Sequence, residues 1–183
     1  MNKLSLRELV YSALFAAVIS VLAQFTIPLP LVPLTLQTFA VGLTVTIIGK
    51  KSGTYAVLIY LLIGMLGVPV FAGGASGIGV LFGPTGGYLL GFLLNTLVTG
   101  EILERKGFSI VWANVANIVG ALVTLLFGTI WLKVVAGLPW QSAWTSGFVL
   151  FILPGIVKAV AASFIGVQIR NRLPQRFFSM TKN

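Results

Sequence analysis

A lysine in the middle of an apolar segment is the residue of this chain with the clearest chemical potential. Of the twelve Lys and Arg residues, Lys158 is the one at the centre of an apolar segment, residues 145–169. Inserting a lysine at this depth in the membrane is unfavourable by about 2.5–3.5 kcal/mol. A charge-assisted hydrogen bond to a ligand carboxylate contributes about 1.5–3 kcal/mol of stabilisation, which is comparable. Lys158 is therefore predicted to bind an anionic ligand. The alternative is a lysine that reaches water, because Pro154-Gly155 can break the helix just before it.

Amide side chains within the apolar segments are the next candidates. Gln37 can both donate and accept hydrogen bonds, which suits an amide or ureide ligand. Asn117 has the same capacity and lies nearer mid-span than Asn95 or Asn114. Because such side chains also form hydrogen bonds between membrane helices, the sequence leaves both roles open for each of them.

A glycine-rich stretch, residues 67–91, contains nine of the 21 glycines and no charged residue. Glycine allows positive φ and close approach of other groups, so an apolar glycine-rich stretch is predicted to place backbone over a cavity. We expect residues 68–83 to be the lid of a binding site. The lid residues predicted to border the ligand are Gly73, Gly74 and Ser76.

A helix is predicted to begin at Pro84, directly after the lid. The first amides of a helix have no partner within the helix and favour negative charge or a carbonyl oxygen, which points to Thr85 and Gly86 as ligand-binding residues. Tyr88 lies one turn further and can stack on a ligand and donate a hydrogen bond. Gly83, Gly87 and Gly91 recur every four residues, a spacing typical of close helix packing.

The composition excludes most enzymatic chemistry. The chain is 57% hydrophobic and 8% charged, it has no Cys, His or Asp, and its acids are Glu8, Glu101 and Glu104. Metal centres and nucleophilic hydrolases draw on the missing residue types, so we expect neither a metal site nor an enzyme. The net charge of +9 forms no groove with interleaved aromatic residues, so no nucleic-acid partner is expected.

The apolar segments predict an all-α integral membrane protein with one domain, residues 1–183. Its six transmembrane helices are expected at residues 8–26, 34–49, 53–67, 84–103, 110–132 and 145–169. The outer loops 26–33 and 68–83 carry no charge and are expected to be partly re-entrant. The basic tail, 170–183, is expected to rest on the anionic cytoplasmic surface of the bilayer.

The distribution of Lys and Arg predicts that both termini are cytoplasmic. Lys133 is the basic residue of the outer loops, and the other ten that flank the segments fall on the inner side: Lys3, Arg7, Lys50, Lys51, Arg105, Lys106, Arg170, Arg172, Arg176 and Lys182.

Residues 49–52, Gly-Lys-Lys-Ser, resemble part of a phosphate-binding loop but lack its glycine spacing and its preceding strand. The chain is therefore expected to have no ATP site of its own.

Ala13 and Ala17 lie one turn apart on the first segment, with Ala16 and Ser20 on an adjoining stripe. Small residues at this spacing let another helix approach the backbone closely. The spacing leaves open whether that helix belongs to the same bundle or to another protein.

Three blocks resemble the signature blocks of the BioY family: PLTLQT at 33–38, GVPVFAGG at 67–74 and GPTGGYLLGF at 83–92. The likeness covers all six segments in order. Members of this family are the biotin-specific S components of energy-coupling factor (ECF) transporters, in the prokaryotic cell membrane. The resemblance implies high-affinity binding and uptake of biotin, together with a transmembrane coupling subunit and two ATPase subunits.

The resemblance also implies roles for individual residues. The Ala13 and Ala17 spacing is similar to the motif by which S components dock on the coupling subunit, and Lys158 matches a lysine of the family. From the chemistry of the side chains, and not from the resemblance, the bicyclic ring of biotin is expected to pack against Phe71 and Tyr88, its ureido group to meet Gln37 or backbone near 73–86, and its carboxylate to approach Lys158. Biotin is the transported ligand, and no cofactor is expected.

The chain departs from the family at one point. Members commonly carry an acid about one turn before the lysine, whereas residues 153–157 contain none. This departure favours the ligand carboxylate itself as the partner of Lys158.

Two other functions are weighed against biotin uptake: a stand-alone secondary transporter for a small anionic vitamin, and a membrane enzyme or assembly factor. The first usually requires an acid within the membrane, and the second is disfavoured by the missing catalytic residue types.

Overall fold

The computed structural model describes residues 5–174, and most of them are helical. The elements in chain order are α1 (Leu6–Ala23), β1 (Thr26–Ile27), β2 (Leu34–Thr35), α2 (Gln37–Met65), a 3₁₀ turn (Ala72–Gly74), α3 (Ile78–Phe82), α4 (Gly86–Lys106), α5 (Ile110–Val135), α6 (Trp140–Trp144), a π-helical turn (Thr145–Val149) and α7 (Leu150–Arg172). The last three follow one another directly. Residues 175–183 of the predicted basic tail lie outside the described residues.

The backbone of α2 reverses direction at Gly49. This residue has φ 79° and ψ 179°, a conformation essentially restricted to glycine. A Cβ on Gly53 would be 3.0 Å from Cγ2 of Val45, and Nε2 of Gln37 lies 2.6 Å from the hydroxyl of Tyr60. Residues 23 apart in a straight helix would be more than 30 Å apart. The two arms of α2, residues 37–48 and 50–65, therefore run antiparallel.

Oppositely charged side chains hold this reversal. Arg170 of α7 donates a hydrogen bond to the carbonyl of Ile47, near the carboxyl end of the first arm. Oε1 of Glu104 accepts a hydrogen bond of 3.1 Å from the amide of Lys50, at the start of the second arm. A cation at a helix C-terminus and an anion at an N-terminus both stabilise the helix dipole.

The second predicted segment, 34–49, starts later in the structure than in the prediction. Leu34 and Thr35 pair with Ile27 and Thr26 as an antiparallel ladder, and α2 begins at Gln37. This hairpin, residues 26–35, contains the predicted outer loop and is called the outer hairpin for that reason. It turns through Pro28, Pro30 and Pro33, and prolines favour extended backbone in the residues that precede them. The helix therefore begins only after the last proline and the strand that follows it.

The long helices pack side by side in a closed arrangement. Helix α1 packs against α2, α2 against α4 and α7, α4 against α5, and α5 against α7. The glycines of α4 allow close contact with α5: a Cβ on Gly87 would overlap Trp131, and one on Gly91 would lie 3.3 Å from the backbone of Thr124. The predicted packing role of this glycine stripe is thus confirmed for Gly87 and Gly91.

Two connections cover one end of the bundle. Val32, at the tip of the outer hairpin, is buried against a cluster with Leu125 and Phe151. In the second connection, residues 66–85, Phe71 is buried against α2, and the carbonyl of Gly83 accepts a 3.0 Å hydrogen bond from the indole of Trp131. Nε2 of Gln24 lies 3.4 Å from the carbonyls of Pro69 and Phe71 and so links α1 to this connection.

The outer surface of the bundle is apolar, as a membrane protein requires. Five helical segments of the described residues are long and apolar enough to span a bilayer. This count treats both arms of α2 as one segment and residues 140–172 as another. Large hydrophobic side chains such as Leu14, Ile130 and Phe164 point outward, while polar residues such as Thr44, Asn95 and Thr124 are buried inside. The structure is therefore that of an all-α membrane protein.

Replacing Gly49 with alanine tests the reversal. A side chain at this φ and ψ costs about 1–3 kcal/mol, so Gly49→Ala should lower the unfolding temperature of the detergent-solubilised protein in a tryptophan-fluorescence melt. Gly79→Ala is the control, because a Cβ on Gly79 meets nothing within 4 Å and its φ is not positive. Equal melting of both variants would contradict the strained conformation at Gly49.

Candidate functional site

A cavity of about 270 Å³ lies beneath the two connections, between the first arm of α2 and helices α4, α5 and α7. Most of its wall is apolar. Three of its six polar residues, Thr35, Gln37 and Thr38, come from β2 and the start of α2. The lining residues are Val32, Pro33, Thr35, Gln37, Thr38, Phe71, Ala72, Ala75, Val80, Thr85, Tyr88, Leu89, Phe92, Ala121, Leu125, Phe151, Gly155 and Lys158.

Lys158 supplies the formal charge of this cavity. Its Nζ donates a hydrogen bond of 2.9 Å to the carbonyl of Thr35, on strand β2. No carboxylate is among the lining residues. The three acids of the chain lie instead at the other end of the bundle, where Glu8 pairs with Lys51 and Glu101 pairs with Lys50. An ammonium group in an apolar wall without a carboxylate partner favours an anionic ligand.

Gln37 connects the outer hairpin to the second arm of α2. Its Oε1 accepts a 2.8 Å hydrogen bond from Oγ1 of Thr35, and its Nε2 donates a 2.6 Å hydrogen bond to the hydroxyl of Tyr60. The side-chain amide has two N–H donors, and Gln37 also lines the cavity. The two roles that the sequence left open are compatible in this residue, because the contact between helices uses only part of its hydrogen-bonding capacity.

Aromatic rings form the apolar walls. Phe71 is 1% exposed and packs edge-on against Tyr60, with ring centroids 5.5 Å apart at 81°. Tyr88 lines the cavity with its ring, while its hydroxyl donates a 2.8 Å hydrogen bond to the carbonyl of Gly147 in the π-helical turn. Tyr88 can therefore stack on a ligand, but its hydroxyl proton is already used.

Five predicted site residues do not line the cavity. Gly73, Gly74 and Ser76 belong to the second connection, which contributes Phe71, Ala72, Ala75 and Val80 instead. Gly86 packs against the carbonyl of Leu81, and its amide donates to the carbonyl of Gly83. The turn that leads into α4 thus uses an amide that the sequence had suggested for a ligand.

Asn117 is the fifth of these residues and joins three helices. It is 3% exposed, and its Nδ2 lies 2.9 Å from Oγ1 of Thr46 on α2 and 3.0 Å from Oγ of Ser163 on α7. It lies one turn from the lining residue Ala121, on the far side of the cavity from the connections. The role between helices, which the sequence left open, is the one found here.

Several lining residues were not identified from the sequence. Thr35 and Thr38 belong to the 33–38 block, where the cluster of polar residues was a signal for them. Phe151 and Gly155 lie seven and three residues before Lys158 and so share its helix face, and Ala121 and Leu125 are four residues apart on one face of α5. Apart from such spacing, apolar lining residues carry no signal, because they look the same whether they face a ligand, another helix or lipid.

Comparisons with known proteins give consistent results. The model of the BioY family matches residues 1–175. Biotin transporter BioY2 of Lactococcus lactis subsp. cremoris (strain MG1363) is 44% identical over 170 residues, which are 92% of this chain and 93% of that protein. The biotin transporter BioY of Thermotoga maritima is 39% identical over 165 residues, 90% of this chain and 96% of that protein.

A solved structure is also similar. The crystal structure of the S-component for biotin from an ECF-type ABC transporter has a TM-score of 0.85 to this chain at 26% sequence identity. The match covers 93% of this chain and 95% of that chain. The likeness therefore extends over nearly the whole bundle.

The hydrogen bond of Tyr88 to Gly147 gives a prediction that separates its ring from its hydroxyl. Tyr88→Phe keeps the ring in the cavity wall but removes a buried hydrogen bond, which should cost about 0.5–1.5 kcal/mol of stability. Thermal unfolding in detergent measures this loss. Tyr55→Phe, a half-buried tyrosine of α2 outside the cavity lining, is the matched control and should melt within about 0.5 kcal/mol of the wild type. Unchanged stability of Tyr88→Phe would contradict a role for the bond in packing α4 against the π-helical turn.

Proposed function

The chain belongs to the BioY family, and from this membership we propose that it is the biotin-binding, substrate-specific subunit of an ECF-type transporter. Its place is the prokaryotic cell membrane, which it crosses several times. It takes up biotin without carrying out a chemical reaction on it. The observation that carries the proposal is the apolar cavity whose charge comes from Lys158 alone.

The cavity matches the three chemical parts of biotin. The bicyclic ring packs against Phe71 and Tyr88, both of which line the cavity. The ureido group meets the unused hydrogen-bonding capacity of Gln37, and Thr85 offers a further polar contact in the same wall. The valerate carboxylate pairs with Lys158. Gly73, Gly74, Ser76 and Gly86 contribute by shaping the second connection, and Asn117 by holding the helices beneath the cavity.

The proposed topology has six membrane helices with both termini in the cytoplasm. The reversal of α2 at Gly49 supports it, because each arm then crosses as a separate helix. Lys50, Lys51 and Arg170 lie together at one end, through contacts with Glu101, Glu8 and Ile47. Basic residues are retained on the cytoplasmic side, which places the cavity and its two connections in the outer half.

Docking on the coupling subunit occurs through α1 in this proposal. Ala13 and Ala17 are exposed, whereas Ser12, Ala16 and Ile19 face the bundle. The small-residue stripe is therefore left open for a helix of another protein. That protein is the transmembrane coupling subunit, which works with two ATPase subunits, because the chain lacks an ATP site.

Release toward the cytoplasm follows reorientation of the whole bundle within the complex. Two polar junctions beneath the cavity support this. Asn117 joins α5 to α2 and α7, and Asn95 of α4 donates to Oγ1 of Thr124 on α5 at 3.3 Å. Each hydrogen bond between membrane helices contributes about 0.6 kcal/mol, and passage of biotin through the floor would break several at once.

Biotin binding by Lys158→Ala tests the charged contact. Loss of a charge-assisted hydrogen bond of about 1.5–3 kcal/mol weakens binding about 10- to 150-fold, measured by equilibrium dialysis of labelled biotin with the purified protein. Lys133→Ala, which lies outside the cavity lining, is the control and should bind as the wild type does. No binding by the wild type would overturn the proposed function, whereas unchanged affinity of Lys158→Ala would overturn only the assignment of this residue.

Uptake and binding should separate when the α1 stripe is blocked. Ala13→Trp and Ala17→Trp place bulk where a partner backbone approaches, so cellular uptake of biotin should fall about tenfold or more while binding by the purified protein stays within about twofold. Leu153→Trp, on the exposed surface of α7, is the control for bulk facing lipid. Wild-type uptake by both alanine variants would refute docking through this stripe.

A further inference from the structure

Thr38 has a buried hydroxyl at the cavity wall. Its Oγ1 has no hydrogen-bond partner among residues 5–174, and Thr38 is one of the lining residues. The side-chain oxygens Oδ1 of Asn114 and Asn117 also have no hydrogen-bond partner among these residues, but neither residue lines the cavity. A buried hydroxyl without a partner is costly, so the cavity is where an explanation for Thr38 must be sought.

The position of Thr38 in its helix explains why the hydroxyl has no internal partner. Elsewhere in this bundle, threonine and serine side chains donate to the carbonyl four residues before them, as Thr44 does to Ala40 at 2.7 Å and Thr46 to Gly42 at 2.8 Å. Residue 34 belongs to β2, so no helical carbonyl precedes Thr38 at that distance. Its proton remains available for a group within the cavity.

The packing of α2 against α7 sets Thr38 opposite Lys158. A Cβ on Gly42 would be 3.4 Å from Cβ of Ala162. Four residues later on both helices, Thr46 contacts Gly166. One helical turn nearer the N-terminus of each helix, the same register places Thr38 opposite Lys158. Both residues line the cavity. Two donors, one charged and one neutral, thus come from facing helices to the same part of the wall.

We propose that Thr38 is a specificity-determining residue whose hydroxyl donates a hydrogen bond to one oxygen of the ligand carboxylate while Lys158 binds the other. This inference rests on the proposed biotin-binding function and adds a second donor to its charged contact. A carboxylate has two oxygens and accepts several hydrogen bonds, whereas an alcohol in its place carries no charge for Lys158. The pair therefore selects the carboxylate form of the ligand over uncharged analogues.

The experiment compares Thr38→Val, which keeps the shape and removes the hydroxyl, with Thr38→Ser, which keeps the hydroxyl. Dissociation constants are measured for biotin and for biotinol, in which a primary alcohol replaces the carboxylate. Thr44→Val is the matched control, because Thr44 is buried on the same helix but does not line the cavity. Thr38→Val should weaken biotin binding about tenfold or more and biotinol binding less than about threefold. Thr38→Ser and Thr44→Val should bind biotin within about threefold of the wild type.

A double variant shows whether both donors act on one group. In a Lys158→Met background, Thr38→Val should change biotin affinity by a factor clearly different from its effect in the wild type, because groups that share a partner are not additive. Equal losses for biotin and biotinol, or strictly additive effects with Lys158→Met, overturn the inference. If the wild type binds biotin and Thr38→Val binds it equally well, the inference about Thr38 is overturned while the proposed function stands. Failure of the wild type to bind biotin removes both.

Discussion

An ammonium group held in an apolar wall is the constraint on which the rest of this structure depends. The carbonyl of Thr35 satisfies one donor of Lys158 but does not neutralise its charge. This contact requires the start of α2 and the middle of α7 to lie side by side, which the small residues Gly42, Ala162 and Gly166 allow. The packing of these two helices therefore determines where the cavity is and what charge it prefers.

Charged and polar groups are separated along the bundle. The acids pair with basic residues around the reversal at Gly49, and hydrogen-bonded asparagine and threonine side chains occupy the middle. The lining of the cavity has one cation, Lys158, and hydrogen-bonding groups whose capacity is not exhausted. This separation keeps the acids from competing for Lys158, because ionic attraction falls with distance even in an apolar medium.

The bundle also fixes the connections that cover the cavity. The hydrogen bonds of Lys158 and Gln37 to Thr35 hold the outer hairpin, and the contacts of Phe71 with Tyr60 and of Trp131 with Gly83 hold the second connection. Lys158 and Gln37, which are proposed to contact the ligand, are therefore the same side chains that position the hairpin.

Composition and linear pattern alone determined that this is a helical membrane protein without Cys, His or Asp, and the motif blocks identified its family. They also singled out Lys158, because a charge in an apolar segment is a local feature. Only the tertiary structure decided which polar residues face the cavity: Gln37 and Thr38 do, whereas Asn117 joins helices and Gly73, Gly74, Ser76 and Gly86 lie outside the lining. The physical reason is that helix periodicity gives the relative directions of side chains, whereas rotation of each helix about its axis is set by packing between residues far apart in sequence.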